Sequence, residues 1–179
     1  LEQIVYIDKH GSLVEACKRG ERQAQYELYR LYSKAMFNVS MRILNHVAEA
    51  EDVLQEAFLD AFLKINDFRQ TSTFGAWLKQ IVVNRAINQL RSRRVQWVDV
   101  DGLDYADESD GYAEEELLWD VTAVRLAIQR LPDGFRTVLS LYLLEGYDHE
   151  EIAEILGITE STSRTQYMRA KKRLVDLLK

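Results

Sequence analysis

Five cations, Arg164, Arg169, Lys171, Lys172 and Arg173, crowd one short stretch near the end of the chain, with Asp176 as the one acid from Arg164 onward. Long cationic side chains at helical spacing suit two tasks on DNA: forked hydrogen bonding to base edges and neutralisation of phosphates. A different chemistry is suggested by Phe68-Arg-Gln-Thr-Ser-Thr-Phe74. Aromatic rings, hydroxyls and an amide in one loop could capture an unstacked base, by stacking on the rings and bonding to its edge. Asn84, Asn88 and Arg91 follow at i, i+4 and i+7 with Arg85 beside them. Asparagine is a poor helix former, so two on one stripe next to arginines imply a polar surface for nucleic acid. A third stripe, Asp52, Gln55, Glu56, Leu59 and Leu63, mixes acids and an amide with two leucines, a blend that suits a partner helix better than water.

Catalytic chemistry is not signalled. His10, His46 and His149 lie far apart, Cys17 stands alone, and neither a metal-ligand spacing nor a glycine-rich phosphate loop is present. His149-Glu150 is not followed by the second histidine of a zinc protease motif. The sequence therefore predicts no enzyme, no cofactor, no metal and no small-molecule substrate.

The elements that position these residues read as helices. The 179 residues are 47% hydrophobic and 29% charged, with one proline and eight glycines, which permits long uninterrupted helices and real cores. Apolar spacing predicts helices over Glu21–Asn45, Ala50–Ile65 and Phe74–Arg93, then Thr122–Leu131, Asp133–Leu144, His149–Leu156 and Glu160–Leu178. Trp77 falls on an apolar stripe and is expected in the core. Asp148 and Glu151 form a helix start, Gly157 supplies a left-handed stop and Thr159 caps the next helix. Short helix, glycine turn and basic helix make a helix-turn-helix.

Net charge is −6, which by itself argues against nucleic acid, but binding responds to the local field. Ten acids and no Lys or Arg lie between Asp99 and Asp120, while Arg91-Ser-Arg93-Arg94 and Arg169-Ala-Lys171-Lys172-Arg173 flank that stretch. The expected organisation is all-α: two small helical domains, 1–95 and 122–179, joined by an acidic flexible linker, 96–121, with the helix-turn-helix in the second. The linker is expected to shield the basic helices of the free protein. No stretch approaches the roughly 20 apolar residues of a membrane span, and no basic-then-apolar leader is seen, so a cytoplasmic location is expected.

Three strings in register resemble the extracytoplasmic-function (ECF) group of bacterial RNA polymerase sigma factors, within the sigma-70 family. They are Glu51-Asp-Val-Leu-Gln-Glu-Ala-Phe58; Phe68 through Trp77 into Asn84-Arg85; and Leu131-Pro-Asp-Gly-Phe-Arg136 running on to Glu145-Gly-Tyr-Asp-His-Glu-Glu-Ile-Ala-Glu-Ile-Leu-Gly157. The likeness covers nearly the whole chain. It implies a promoter-specificity subunit that binds core RNA polymerase and promoter DNA, recognises a −35 duplex and a −10 element, and assists melting.

Residue by residue, the resemblance implies that Asp52, Gln55, Glu56 and Leu59 dock on the clamp helices of the largest polymerase subunit. Phe68, Arg69, Thr71, Ser72, Thr73 and Phe74 would hold a flipped −10 base, and Asn84, Arg85, Asn88 and Arg91 would lie along the −10 DNA. Arg164, Thr165, Met168 and Arg169 would face the −35 element, with Lys172 and Arg173 nearer phosphates. The second domain would sit on the flap of the second-largest subunit, and the linker would thread toward the active site. An anti-sigma factor is an expected further partner. Ser163 and Gln166 depart from the family's usual branched apolar and basic residues, so an altered −35 preference is expected. Aromatic residues around the −10 helix are few, which implies demanding promoters. The competing reading is a stand-alone helix-turn-helix regulator that dimerises and binds duplex operators without polymerase.

Overall fold

The computed structural model describes residues 8–93 and 120–179, and the chain divides into two units, Leu1–Arg94 and Val95–Lys179. Among the described residues every regular element is helical. The expected linker 96–121 lies outside the described residues except for its last two. Those two belong to a helix: Asp120 caps it, accepting the Thr122 N–H at 3.2 Å, and Val121 is its first residue.

The first unit holds α1 (Gly11–Lys18), α2 (Arg22–Leu44), α3 (Val47–Leu63) and α4 (Phe74–Ser92), with a 3-10 turn at Ile65–Asp67. α2, α3 and α4 pack on one another and α1 lies against α2. Leu28, Ile43 and Leu44 of α2, Val53 and Ala57 of α3, and Leu78, Val82 and Leu90 of α4 are all buried in this packing. The α2–α3 corner is tight. Asn45 takes the left-handed conformation at φ 49°, which asparagine tolerates better than most residues, and its N–H donates to the Met41 carbonyl. His46 then caps α3, its Nδ1 accepting the Glu49 N–H at 3.3 Å.

α4 starts under several constraints. Thr73 Oγ1 accepts the Ala76 N–H at 3.2 Å, and Asp8, from before α1, accepts the Phe74 N–H at 2.6 Å. Gly75 lets α4 approach α2 closely, because a Cβ there would sit 2.8 Å from the Tyr32 ring. At the far end Arg93 donates to the Leu44 carbonyl at 2.9 Å and pairs with Glu49, closing the end of α4 on the α2–α3 corner.

The second unit holds α5 (Val121–Gln129), α6 (Asp133–Leu143), α7 (His149–Leu156) and α8 (Glu160–Leu178). α8 is its axis, contacted by the other three. Leu131, Leu139 and Ala170 form a core over which Ile128, Phe135, Leu174 and Leu177 fold. The Leu131-Pro-Asp-Gly-Phe-Arg136 string has a structural explanation. Buried Arg136 donates to the Leu131 carbonyl at 3.0 Å and pairs with Asp133, so the α5–α6 turn is satisfied from within. α7 opens with a reciprocal capping box, Asp148 taking the Glu151 N–H at 2.8 Å and Glu151 the Asp148 N–H at 2.9 Å. Gly157 at φ 68° ends it, and Thr159 Oγ1 caps α8 through the Thr162 N–H at 3.1 Å. A left-handed stop between two side-chain caps produces the helix-turn-helix.

Candidate nucleic-acid interface

The loop before α4 differs from the sequence expectation in one respect. Phe68 and Phe74 do not offer their rings to solvent: they are 3% and 0% exposed. Phe68 lies tilted on Trp77 at 5.2 Å, and Phe74 packs edge-on against Tyr32 at 5.3 Å. Both rings fill the gap behind the loop, where burial of an aromatic side chain is worth more than solvent contact. Trp77 is partly buried against both phenylalanines.

The outward groups of the loop are Arg69, Thr71 and Thr73, with Gln70 and Ser72 half-buried. Thr73 serves as the α4 cap and Ser72 Oγ donates to the Thr73 carbonyl at 3.3 Å. Gln70 holds φ 57° and donates to Glu15 at 2.8 Å; Lys18 donates to the Phe68 carbonyl at 3.3 Å. Thus α1, which the sequence reading passed over, fastens the loop from one side, and Asp8 fastens its end.

On α4, Asn84, Asn88 and Arg91 are exposed on one stripe as expected, with Arg91 Nη1 donating to Asn88 Oδ1 at 3.3 Å. Arg85 is placed otherwise. Its guanidinium reaches Asp60 at 2.6 Å and Glu56 at 2.8 Å on α3. The hydrogen bond it donates to Asp60 leads in raising its pKa above the ordinary arginine value. Arg85 is therefore a brace between α3 and α4, not a member of the outward stripe. Arg93 is likewise turned inward, onto the Leu44 carbonyl and Glu49.

The α3 stripe is present as read. Asp52, Gln55 and Glu56 are exposed, and so are Leu59 at 63% and Leu63 at 82%. Glu56 also pairs with Arg85.

α8 separates two faces. Outward lie Arg164, Met168 at 64% exposure, Lys172 and Arg173, with Thr165 and Arg169 half-buried at the edges. Arg164 pairs with Glu160, Thr165 Oγ1 donates to the Ser161 carbonyl at 3.0 Å, and Lys171 lies 5.5 Å over the Tyr167 ring. Ser163 and Gln166 face inward and are buried. Their departure from the usual pattern therefore bears on how α8 packs.

One cluster escaped the sequence reading. His149 is buried where α6, α7 and α8 meet, stacked on Tyr142 and bonded to Ser163. Nearby, burial foremost and then Glu145 and Glu151 push the Tyr147 hydroxyl up to about 12, so it stays protonated at neutral pH. Among the described residues no cluster of three or more His, Cys, Asp or Glu is arranged to hold a metal, and no helix is long and apolar enough to cross a membrane.

A four-helix unit with a polar stripe on its last helix is followed by a capped helix-turn-helix with a basic helix, an arrangement suited to binding DNA. Residues 28–95 match the family described as Sigma-70 region 2, and residues 122–174 match Sigma-70, region 4. The chain is 31% identical to the RNA polymerase sigma-H factor of Pseudomonas aeruginosa, over 92% of this chain and 91% of that one. It is 30% identical to the ECF RNA polymerase sigma-E factor of Escherichia coli, over 89% of each. The ECF RNA polymerase sigma factor SigW of Bacillus subtilis is 28% identical, over 90% and 92%. Among solved structures, the sigma factor RpoE of Bartonella quintana, in complex with the anti-sigma factor NepR, is similar with a TM-score of 0.56 and 26% identity, covering 86% of this chain and 95% of that one.

The chain belongs to the sigma-70 family of RNA polymerase sigma factors, in its ECF group. It is a promoter-specificity subunit that directs transcription initiation with core RNA polymerase.

Proposed function

We propose that the two units divide promoter recognition between them, residues 1–95 acting on the polymerase and the −10 element and residues 122–179 on the −35 element. The observation that carries this reading is the outward set Arg164, Met168, Lys172 and Arg173, with Arg169 at its edge, on the second helix of a capped helix-turn-helix. In such a motif the early turns reach base edges and the later cations take phosphates. Arg164, Thr165, Met168 and Arg169 are assigned to the −35 bases, Lys172 and Arg173 to the flanking phosphates.

Asp52, Gln55, Glu56 and Leu59 form the docking surface for the clamp helices of the largest polymerase subunit. Leucines this exposed beside carboxylates suit a helical partner, which would bury them. The second unit docks on the flap of the second-largest subunit. Arg69 and Thr71, with Ser72 and Thr73 at the loop's edge, contact an unpaired −10 base. Asn84, Asn88 and Arg91 lie along the −10 strand. Phe68 and Phe74 shape that loop from beneath, and Arg85 holds α4 at a fixed distance from the docking face. An anti-sigma factor is a regulatory partner, a reading supported by the complex in which the Bartonella relative was solved. The protein acts in the cytoplasm. It supplies no catalytic group: binding energy spent on opened DNA replaces chemistry, and the polymerase makes the bonds.

Run-off transcription from a promoter library with purified bacterial core polymerase tests this. New, sequence-selective starts that disappear with Asp52→Ala/Gln55→Ala are expected. Unchanged starts with that variant would remove the docking assignment, and tight duplex binding by the protein alone with no starts would favour the stand-alone regulator.

A further inference from the structure

Behind the outward face of α8 lies a contact for which base and phosphate binding has no use. His149 is the first residue of α7 and is 8% exposed. Its Nδ1 lies 2.9 Å from Ser163 Oγ, itself fully buried on α8. Tyr142 of α6 stacks on the imidazole at 4.5 Å with planes 15° apart, and Tyr167 of α8 closes the third side edge-on at 5.6 Å. Three helices thus meet on one ring. Ser163 precedes Arg164 and Thr165, and Tyr167 precedes Met168 and Arg169, so the ring anchors the back of the same turns whose front is assigned to −35 bases.

Apolar packing alone leaves a helix some freedom to roll, whereas a buried hydrogen bond has a preferred length and direction. A buried hydroxyl facing a buried imidazole therefore fixes both the depth and the rotation of α8 on α7. Rotation matters because a bidentate base contact tolerates little angular error.

We propose that His149 is a positioning residue for −35 readout: through Ser163 Oγ and its stack on Tyr142, the imidazole sets the roll of α8 and so the base discrimination of Arg164, Met168 and Arg169. This rests on the assignment of α8 to the −35 element. The titratable and charged groups facing the ring are Tyr142 from α6, Asp148 at the head of α7, and Glu160, Arg164 and Tyr167 from α8. Burial first, and then Arg164, hold its pKa below the ordinary histidine value against the opposing pull of Glu160 and Asp148. Its place at the positive end of α7 acts in the same direction. With the folded value below the unfolded one, the unfolded chain takes up more protons as pH falls. The contribution of His149 is accordingly complete above the unfolded value of about 6.5 and lost as pH drops through the lower folded value.

The test uses holoenzyme, assembled from bacterial core polymerase and the full chain, to select DNA randomised across the −35 region beside a −10 region previously selected by the same holoenzyme. His149→Phe keeps a ring on Tyr142 and deletes Nδ1; Ser163→Ala deletes the hydroxyl. Each is expected to lower enrichment of preferred over disfavoured −35 sequences about five-fold, with the double variant no worse than either single one. Core polymerase binding is expected to be unchanged. In the unsubstituted protein, enrichment should hold above the ordinary histidine value of about 6.5 and fall only as pH drops below it, and His149→Phe should abolish that dependence. Unaltered enrichment in both single variants, a uniform loss on all −35 sequences, or additive losses in the double variant would overturn the proposal. If the unsubstituted holoenzyme enriched no −35 sequence, the −35 assignment itself would fall, and this inference with it.

Discussion

α4 and α8 each present a polar stripe, yet their cations are disposed in opposite ways. Around α4 they turn inward: Arg85 spans Glu56 and Asp60, and Arg93 closes on Glu49 and the Leu44 carbonyl. The outward stripe is left with two amides and Arg91, and the adjoining loop with Arg69 and Thr71. Around α8 the polar and aromatic groups His149, Ser163 and Gln166 turn inward, while Arg164, Lys172 and Arg173 face out. An unpaired base is gripped by shape and hydrogen bonds, so its loop must be stiff behind; a duplex is met first through its phosphates, so its helix must be charged in front. These dispositions suit the two targets proposed for the helices, an unpaired base at α4 and a duplex at α8.

The comparison breaks most readily at Phe74. As a fully buried ring it should cost the first unit about 3–5 kcal/mol when replaced by alanine, read by urea or thermal unfolding. Full stability of Phe74→Ala together with lost promoter opening would return that ring to the DNA. Next comes Arg169→Ala, expected to weaken −35 discrimination by about 1–3 kcal/mol in holoenzyme binding to matched and substituted sites. Equal losses on every −35 sequence would make it a phosphate contact. Arg85→Ala should lower the stability of the first unit by about 1 kcal/mol or less, since its partners are partly solvated. A large loss of −10 binding without any loss of stability would instead place Arg85 on the DNA. The smallest effect belongs to Lys172→Ala: a uniform weakening, with the slope of log affinity against log salt shallower by about 0.9. No change in that slope would remove Lys172 from the phosphate set.

Much of the second unit was legible because its signals are local. The capping box at Asp148 and Glu151, the left-handed Gly157 and the Thr159 cap are each satisfied within a few residues, so sequence order alone places them. The α3 stripe was legible too, since periodicity separates Asp52, Gln55, Leu59 and Leu63 from the buried Leu54, Phe58 and Ala61. Tertiary partners were not legible. α1 is eight residues long and has no side-chain cap, so its helix depends on packing against α2. Phe68 and Phe74 sit among polar loop residues with no period to mark them as core. Arg85 resembles a DNA contact until Glu56 and Asp60, distant in sequence, are brought beside it. The inward faces of Ser163 and Gln166 follow from how α8 rests on α6 and α7, which a list of exposed-looking polar residues cannot convey.

The division of labour between the units is tested most directly by strand opening and −35 protection measured together on one promoter. A fluorescent base analogue in the −10 element reports opening, and footprinting reports the −35 duplex. Asn84→Ala/Asn88→Ala holoenzyme should keep −35 protection and lose opening; Arg164→Ala/Arg169→Ala holoenzyme should lose −35 protection yet still engage a template whose −10 region is already unpaired. If both variants lost both signals on both templates, the two helices would not be serving separate targets and the account would be wrong.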